Sequence, residues 1–239
     1  MTDSRTPPPS AAAPHPLGHR VTLPGGGSVR IRPITPDDRT ELGLAYQRLS
    51  PESRRLRFLS PPNHLTEDML RRLTCVDGVN HAALVAIAED EPGQPGVGVA
   101  RYVRLGEGSD TAEVAVTVLD DHENRGIGTL LLEMLLEKAL RNGVRHIRGY
   151  VAAENRILDL ARAFDASITP DSPGVVLVDV TLPGAPHEIR SAVRAAALTP
   201  GAAARTPTSV GVSATSPRST RRRRCRTMPM CRRPPRRCR

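Results

Sequence analysis

The chain has 239 residues, room for one ordinary domain with tails, and its single-digit count of aromatics (three Tyr, two Phe, no Trp) demands an aliphatic core. Its net charge of +9 is concentrated at one end: residues 218–239 hold eleven arginines and no acid, which leaves the remainder at −2. That distribution excludes a basic nucleic-acid-binding domain and confines any such contact to salt-sensitive, sequence-blind attraction by the arginine-rich tail.

Cysteine spacing adds two exclusions. Cys75 stands alone, and Cys225, Cys231 and Cys238 lack a CxxC pair or flanking histidines, so neither a zinc set nor a disulfide framework is expected. The first twenty residues lack an apolar targeting core, and no run approaches the ~20 residues of a membrane span. A soluble cytoplasmic protein without metal or membrane partner is the expectation.

Residues 1–27, rich in Pro, Ala, Ser and Gly, read as a disordered segment. "VRIRPI" (29–34) alternates like a first strand, and "TPDD" (35–38) then caps a helix with acids where the helix dipole favours them. Ser50 with Pro51 opens a second helix, and Thr66 caps a third through "LTEDMLRRLTCV". The period then changes. "AALVAIA" (82–88), "GVGVARYVRL" (96–105) and "AEVAVTVL" (112–119) are three strands joined by Gly-, Pro- and Asp-rich turns. A leucine-rich helix runs from Gly126 to Arg141 and stops at Asn142-Gly143. A strand (144–151), a helix (155–164) and a last strand (174–182) complete the pattern. The fold class is α/β (α+β): one domain over 28–183, a mostly antiparallel mixed sheet flanked by helices, with one crossover through the long helix. Residues 184–239 read as a low-complexity, disordered tail.

The chemistry concentrates at the entrance of the long helix. In "ENRGIGT" (123–129) a strand, a short loop and a helix start place backbone N–H groups at a positive helix end, an arrangement suited to a phosphate. Gly126 and Gly128 let the phosphate approach the backbone, while Arg125 and the Thr129 hydroxyl add donors. No Gly-Lys-Ser/Thr follows, which excludes a P-loop, and "GIGTLL" lacks the third glycine of a dinucleotide fold.

What remains resembles the pyrophosphate loop of the GCN5-related N-acetyltransferases (GNAT), whose pattern reads Q/R-x-x-G-x-G/A. Glu123 stands where that family usually has Gln or Arg. The order of elements from 28 to 182 also follows the family, and "VRIRPITPDD", "LSPESRRLRFL" and "AEVAVTV" look like its Pat-like branch, the bacterial protein lysine acetyltransferases that modify acyl-CoA synthetases. The resemblance implies a sheet whose fourth and fifth strands splay apart to take acetyl-CoA as co-substrate. Asn124, Arg125, Gly126, Ile127, Gly128 and Thr129 would hold the pyrophosphate, backbone groups of Val116 and Val118 would pair with the pantetheine arm, and Asn155 would lie beside it. A backbone N–H near Val116 is a candidate for stabilising the tetrahedral oxyanion.

Glu113 matches the glutamate that the Pat-like branch uses as general base. A lysine amine is protonated at neutral pH and must lose a proton before it attacks a thioester, and a carboxylate in the cleft accepts it. The competing assignment makes Glu113 a cross-strand ion-pair partner of Arg101 or Arg104. His122, bordering the loop, either supports it or is an ordinary capped histidine. The helix after Asn155 lacks the tyrosine with which many family members protonate the leaving thiolate, and Tyr102 and Tyr150 read as packing residues. Asp165-Ala166 replaces the family's frequent Gly-Phe. Four functions stay open: direct transfer to a protein lysine in a ternary complex, transfer to a small amine, a non-catalytic acyl-CoA-binding module, or nucleic-acid binding through the arginine tail.

Overall fold

The computed structural model describes residues 18–198 apart from 59 and 156. The expected tail segments 1–17 and 199–239, the arginine run included, lie outside the described residues. Eight strands form one sheet in the order β1-β2-β3-β4-β5-β6-β8-β7. The first five are β1 (His19–Thr22), β2 (Ser28–Pro33), β3 (His81–Ala88), β4 (Gly96–Arg104) and β5 (Thr111–Val118), paired antiparallel in sequence order. A helix, α4 (Ile127–Arg141), crosses over to β6 (His146–Ala152), which pairs parallel with β5. The hairpin β7 (Ser167–Ser172) and β8 (Val175–Thr181) closes that side, with β8 antiparallel to β6.

Three helices lie between β2 and β3, each started by the residue that its sequence suggests. The Asp38 carboxylate accepts the Thr35 N–H at 2.7 Å ahead of α1 (Arg39–Arg48). Ser50 Oγ accepts the Ser53 N–H at 3.1 Å at the start of α2 (Pro51–Phe58), and Thr66 Oγ1 accepts the Met69 N–H at 3.3 Å at α3 (Glu67–Thr74). Each such cap satisfies an N–H that the helix itself leaves unpaired.

Alternation along β5 separates the two layers. Gly98 is the register partner of Val118, and a Cβ there would stand 3.0 Å from Leu131 Cδ1 of α4, so α4 packs on the face that carries Val114, Val116 and Val118. Helices α1 to α3 cover the opposite face, with Glu113, Ala115 and Thr117. Leu131, Leu135 and Ala139 of α4 are fully buried against the sheet, each leucine contributing about 2 kcal/mol through the apolar area it removes from water.

The domain reaches beyond the expected boundary at 183. Residues of the supposed tail form α6 (Pro186–Leu198), which lies against α4 and α5 (Ile157–Ala163) and buries Ile189 and Val193. Arg190 and Arg194 of α6 pair with Glu137 and Glu133 of α4 at 3.2 and 3.1 Å. Two apolar residues four apart are a thin signal amid alanines, and pairing with carboxylates on another helix is invisible in a linear pattern. At the other end β1 adds an exposed four-residue strand inside the segment expected to be disordered. The strand β7 was also unexpected: "SITPDS" carries Pro170, tolerated because β7 is an edge strand.

Candidate active site

The pairing of β5 with β6 is confined to Thr111↔His146 and Ala112↔Ile147. Beyond Ala112 the two strands diverge, and β6 continues with β8 while the facing edge of β5 is left open. Alternation identifies the groups on that edge. The Leu119 N–H is bonded to Val97 O of β4 and the Thr111 carbonyl to the Leu105 N–H, so odd-numbered residues point their backbone toward β4. The N–H and C=O groups of Val114, Val116 and Val118 therefore face the gap. A chain lying along that edge could add to the sheet as a further strand does.

At the wide end of the gap stands the glycine loop. Asn124 and Gly126 both adopt positive φ, 58° and 84°, so the chain turns sharply into α4 with Gly126 as N-cap. The first α-helical bond of α4 runs from the Leu130 N–H to Gly126 O at 3.0 Å, which leaves the Ile127, Gly128 and Thr129 N–H groups as the helix's free donors. Ile127 is buried as an anchor, while Gly126 is exposed and Gly128 and Thr129 are half-exposed. No acid occupies the first turn. An anion at this end meets donors and a positive dipole end.

The loop is held from two sides. His122 is buried, with Nδ1 2.7 Å from Asp121 Oδ1 and Nε2 2.7 Å from Glu91 Oε1, and Arg125 lies 3.8 Å from the same Glu91 oxygen. His122 is thus a buried anchor for the loop rather than an exposed group. On the other side Asp120 accepts from the Ser50 N–H at 3.0 Å and from the Ser50 and Ser53 hydroxyls at 2.7 Å each. These bonds outweigh its burial and hold the Asp120 carboxyl below its ordinary range. The start of α2 is tied in this way to the residues that lead into the loop.

Glu113 is the first residue of β5 past the paired stretch, at the apex of the gap and on the face covered by α1 to α3. Partial burial raises its carboxyl above the ordinary value, and the charge of Arg57 opposes part of that rise. The ion pairs of the competing assignment do not form. Arg101 donates to Leu73 O at 3.0 Å and contacts His81 Nε2 at 3.2 Å, and Arg104 donates to the carbonyls of Ser109 and Asn142. Among the described residues Glu113 has neither a hydrogen bond nor a salt bridge, which leaves its carboxylate available for a proton.

Beyond Glu113 on the same face lies an apolar cleft beneath the three helices. Its walls include Leu42, Tyr46 and Phe58 from the helices and Val99, Ala115 and Thr117 from the sheet. Two guanidinium groups also line it, those of Arg57 and Arg101. Burial lowers Arg57 to about 10, with Glu113 resisting the shift, and lowers Arg101 to about 9, with Arg57 adding to it. Sequence reading gave Arg57 no part, because nothing in "SRRLRF" says which of its arginines turns inward. Tyr102 is fully buried, donating to Val79 O at 2.8 Å and accepting from Asn142, so it is a packing residue as expected. Tyr150 stands on the Glu113 face of β6, because Ile147 shares the face of Ala112 and alternation turns Tyr150 to the other. Asn155 is buried and its Oδ1 accepts the Ile157 N–H at 3.1 Å, which starts α5 on the far bank of the gap. Among the described residues no group of three or more His, Cys, Asp or Glu is placed to hold a metal ion, and no helix is long and apolar enough to cross a membrane.

Comparison with known proteins agrees with this geometry. The acetyltransferase (GNAT) family model matches residues 47–158. An acetyltransferase of Pseudomonas aeruginosa is 32% identical over 137 residues, spanning 57% of this chain and 73% of that protein. The acetyltransferase Pat of Mycolicibacterium smegmatis is 32% identical over 154 residues, 64% of this chain and 45% of that longer protein. Among solved structures, the GNAT domain of S. lividans PAT superposes with a TM-score of 0.61 at 32% identity, covering 69% of this chain and 97% of that one.

Proposed function

Because the chain belongs to the GNAT acetyltransferase family and is Pat-like within it, we propose that it moves an acetyl group from acetyl-CoA to a protein lysine, with Glu113 as the general base. The family uses acetyl-CoA, and the residues present fit that molecule. A pyrophosphate suits the free donors of Ile127, Gly128 and Thr129 with Arg125 beside them, while Asn124 and Gly126 supply the turn. A pantetheine amide chain suits the open backbone edge at Val116 and Val118, with Asn155 on the opposite bank. Five residue steps along the strand lead from Val118 to Glu113, about 16 Å at the usual rise per residue, so an arm entering at the loop is led toward the apex.

The observation that carries the reading is Glu113 itself, an unpaired carboxylate at the point where the sheet opens. The acceptor ammonium gives its proton to Glu113, directly or through a water, and the amine then attacks the thioester carbonyl carbon. An edge N–H such as that of Val116 is suited to the oxyanion that forms. The C–S bond breaks, the nitrogen sheds its second proton to solvent, and the thiolate takes up a proton from solvent. A protein acceptor is favoured over a small amine by the likeness to the protein named Pat, and an acyl-CoA synthetase is the first acceptor to try. The localisation that accompanies this reading is the cytoplasm.

The test is transfer of labelled acetyl from acetyl-CoA to purified bacterial acyl-CoA synthetase, with modified lysines located by mass spectrometry. Glu113→Gln is expected to lower kcat by about 10²- to 10⁴-fold while acetyl-CoA still binds. Unchanged turnover in that variant would remove Glu113 from the role of base.

A further inference from the structure

The cleft beneath α1 to α3 is lined by two arginines that form no salt bridge among the described residues. Arg57 and Arg101 both line it, and the charge of Arg57 acts on Arg101. Glu113 acts on Arg57 alone. Asp38 is committed to Arg32 through bonds of 2.6 and 2.8 Å, and Glu41 is not among the charges that act on either guanidinium. His81, the neighbour of Arg101, is held neutral: burial and the Arg101 charge lower it to about 4. Arg101 therefore has no carboxylate partner among the described residues, against walls of Leu, Val, Phe and Ala, a surrounding in which a lone ion is costly.

Arg101 is 6% exposed, with one guanidinium nitrogen used on Leu73 O and His81. Arg57 lies over the Phe58 ring at 4.5 Å and makes no hydrogen bond among the described residues. A guanidinium presents five donors, so both retain N–H groups for an acceptor. The cleft lies on the sheet face that also carries Glu113, which stands two residues along β5 from Ala115 of the cleft wall. What enters there must be slender and mainly apolar, and must end in one negative charge. An acyl chain with a terminal carboxylate has that shape, whereas an acidic side chain on the surface of a folded acceptor does not reach the buried Arg101.

We propose that the cleft lined by Arg57 and Arg101 is an acyl pocket for a dicarboxylic acyl-CoA, such as succinyl-CoA, whose terminal carboxylate pairs with the two guanidinium groups. The inference rests on the acyltransferase reading of the same site and extends it to the acyl donor. Transfer follows the same course. The ammonium proton passes to Glu113, the amine nitrogen bonds to the thioester carbonyl carbon and sheds its second proton to solvent, the C–S bond breaks and the CoA thiolate is protonated by solvent. The distal carboxylate stays ionised throughout.

The experiment is calorimetric titration of acetyl-CoA, butyryl-CoA and succinyl-CoA into the full chain and into Arg57→Gln. Butyryl matches succinyl in length and lacks the charge. Succinyl-CoA is expected to bind the wild-type protein at least about tenfold more tightly than butyryl-CoA, as suits a charge-assisted hydrogen bond in a buried site. In Arg57→Gln that ratio falls toward one, a change that mere loosening of the fold does not produce. Succinyl-CoA binding no tighter than butyryl-CoA, with acetyl-CoA still bound, overturns the acyl-pocket inference and leaves the acetyltransferase reading in place. Failure of all three to bind removes both. Should Arg57→Gln fail to fold, the wild-type comparison decides alone.

Discussion

At the scale of single residues, function and stability pull Glu113 in opposite directions. Partial burial raises its folded-state carboxyl above the ordinary range, so the ionised form that a base requires is a cost to the fold at neutral pH. Glu113→Gln is therefore expected to lower kcat by about 10²- to 10⁴-fold while Tm at pH 7 stays level or rises, measured by thermal melts beside the activity assay. For the same reason the acid limb of kcat/KM is expected above the usual carboxylate range, and Arg57→Gln moves it to higher pH by removing the cation that favours ionisation. His81 behaves oppositely to a salt-bridged histidine. Its folded value of about 4 lies below the ordinary 6.5, so the unfolded chain binds the proton more readily and stability is lost as pH falls from about 6.5 to about 4. The loss amounts to at most about 3 kcal/mol. Urea melts across that range should show a shallower acid dependence in His81→Gln, and an unchanged one would mean that other groups dominate. Glu113 was legible from its place in "AEVAVTV", because period two fixes its face. Its environment was not, since Arg57 arrives from a helix more than fifty residues away in sequence.

At the scale of elements, the site is a junction between a strand edge, a helix start and a capped helix. Asp120 joins the last two by accepting three bonds from Ser50 and Ser53. Asp120→Ala removes those acceptors and is expected to cost about 1–2 kcal/mol and to weaken acyl-CoA binding, because the lead into the loop loses its tether. Equal affinity in wild type and variant would show the tether to be purely structural. Contact between α4 and β4 is equally confined. A methyl group on Gly98 meets Leu131 at 3.0 Å and Thr117 O at 3.3 Å, so Gly98→Ala forces α4 and the sheet apart and is expected to destabilise by about 1–3 kcal/mol in denaturant melts. Elements with strong signals were legible: capped helices, alternating strands, the leucine-rich α4. The pairing that matters for the site was not. Nothing in the sequences of β5 and β6 says that they part after Ala112, because divergence is a property of the sheet, and only the likeness to the GNAT family suggested it.

At the scale of the whole molecule, the sheet is covered by α1 to α3 on the face of Glu113 and by α4 to α6 on the other. The last of these layers includes α6, which the sequence concealed among alanines. Ile189 is fully buried there, and Ile189→Ala is expected to cost about 2–5 kcal/mol. A chain ending at residue 183 loses the whole helix and should melt well below one ending at 198. Equal melting temperatures would mean that α6 is an ornament to the domain. The net charge misleads at this scale, since its positive excess belongs to the tail and leaves the folded part near neutrality.

The central claim is that the opened edge of β5 and the glycine loop together form an acyl-CoA site. Calorimetric titration of acetyl-CoA into the full chain, beside Gly128→Glu, tests it most directly. Saturable one-to-one binding by the wild type, lost when a carboxylate is placed among the donors of Ile127, Gly128 and Thr129, is the predicted result. A folded wild-type protein that binds no acetyl-CoA, or a Gly128→Glu variant that binds it equally well, would contradict the account.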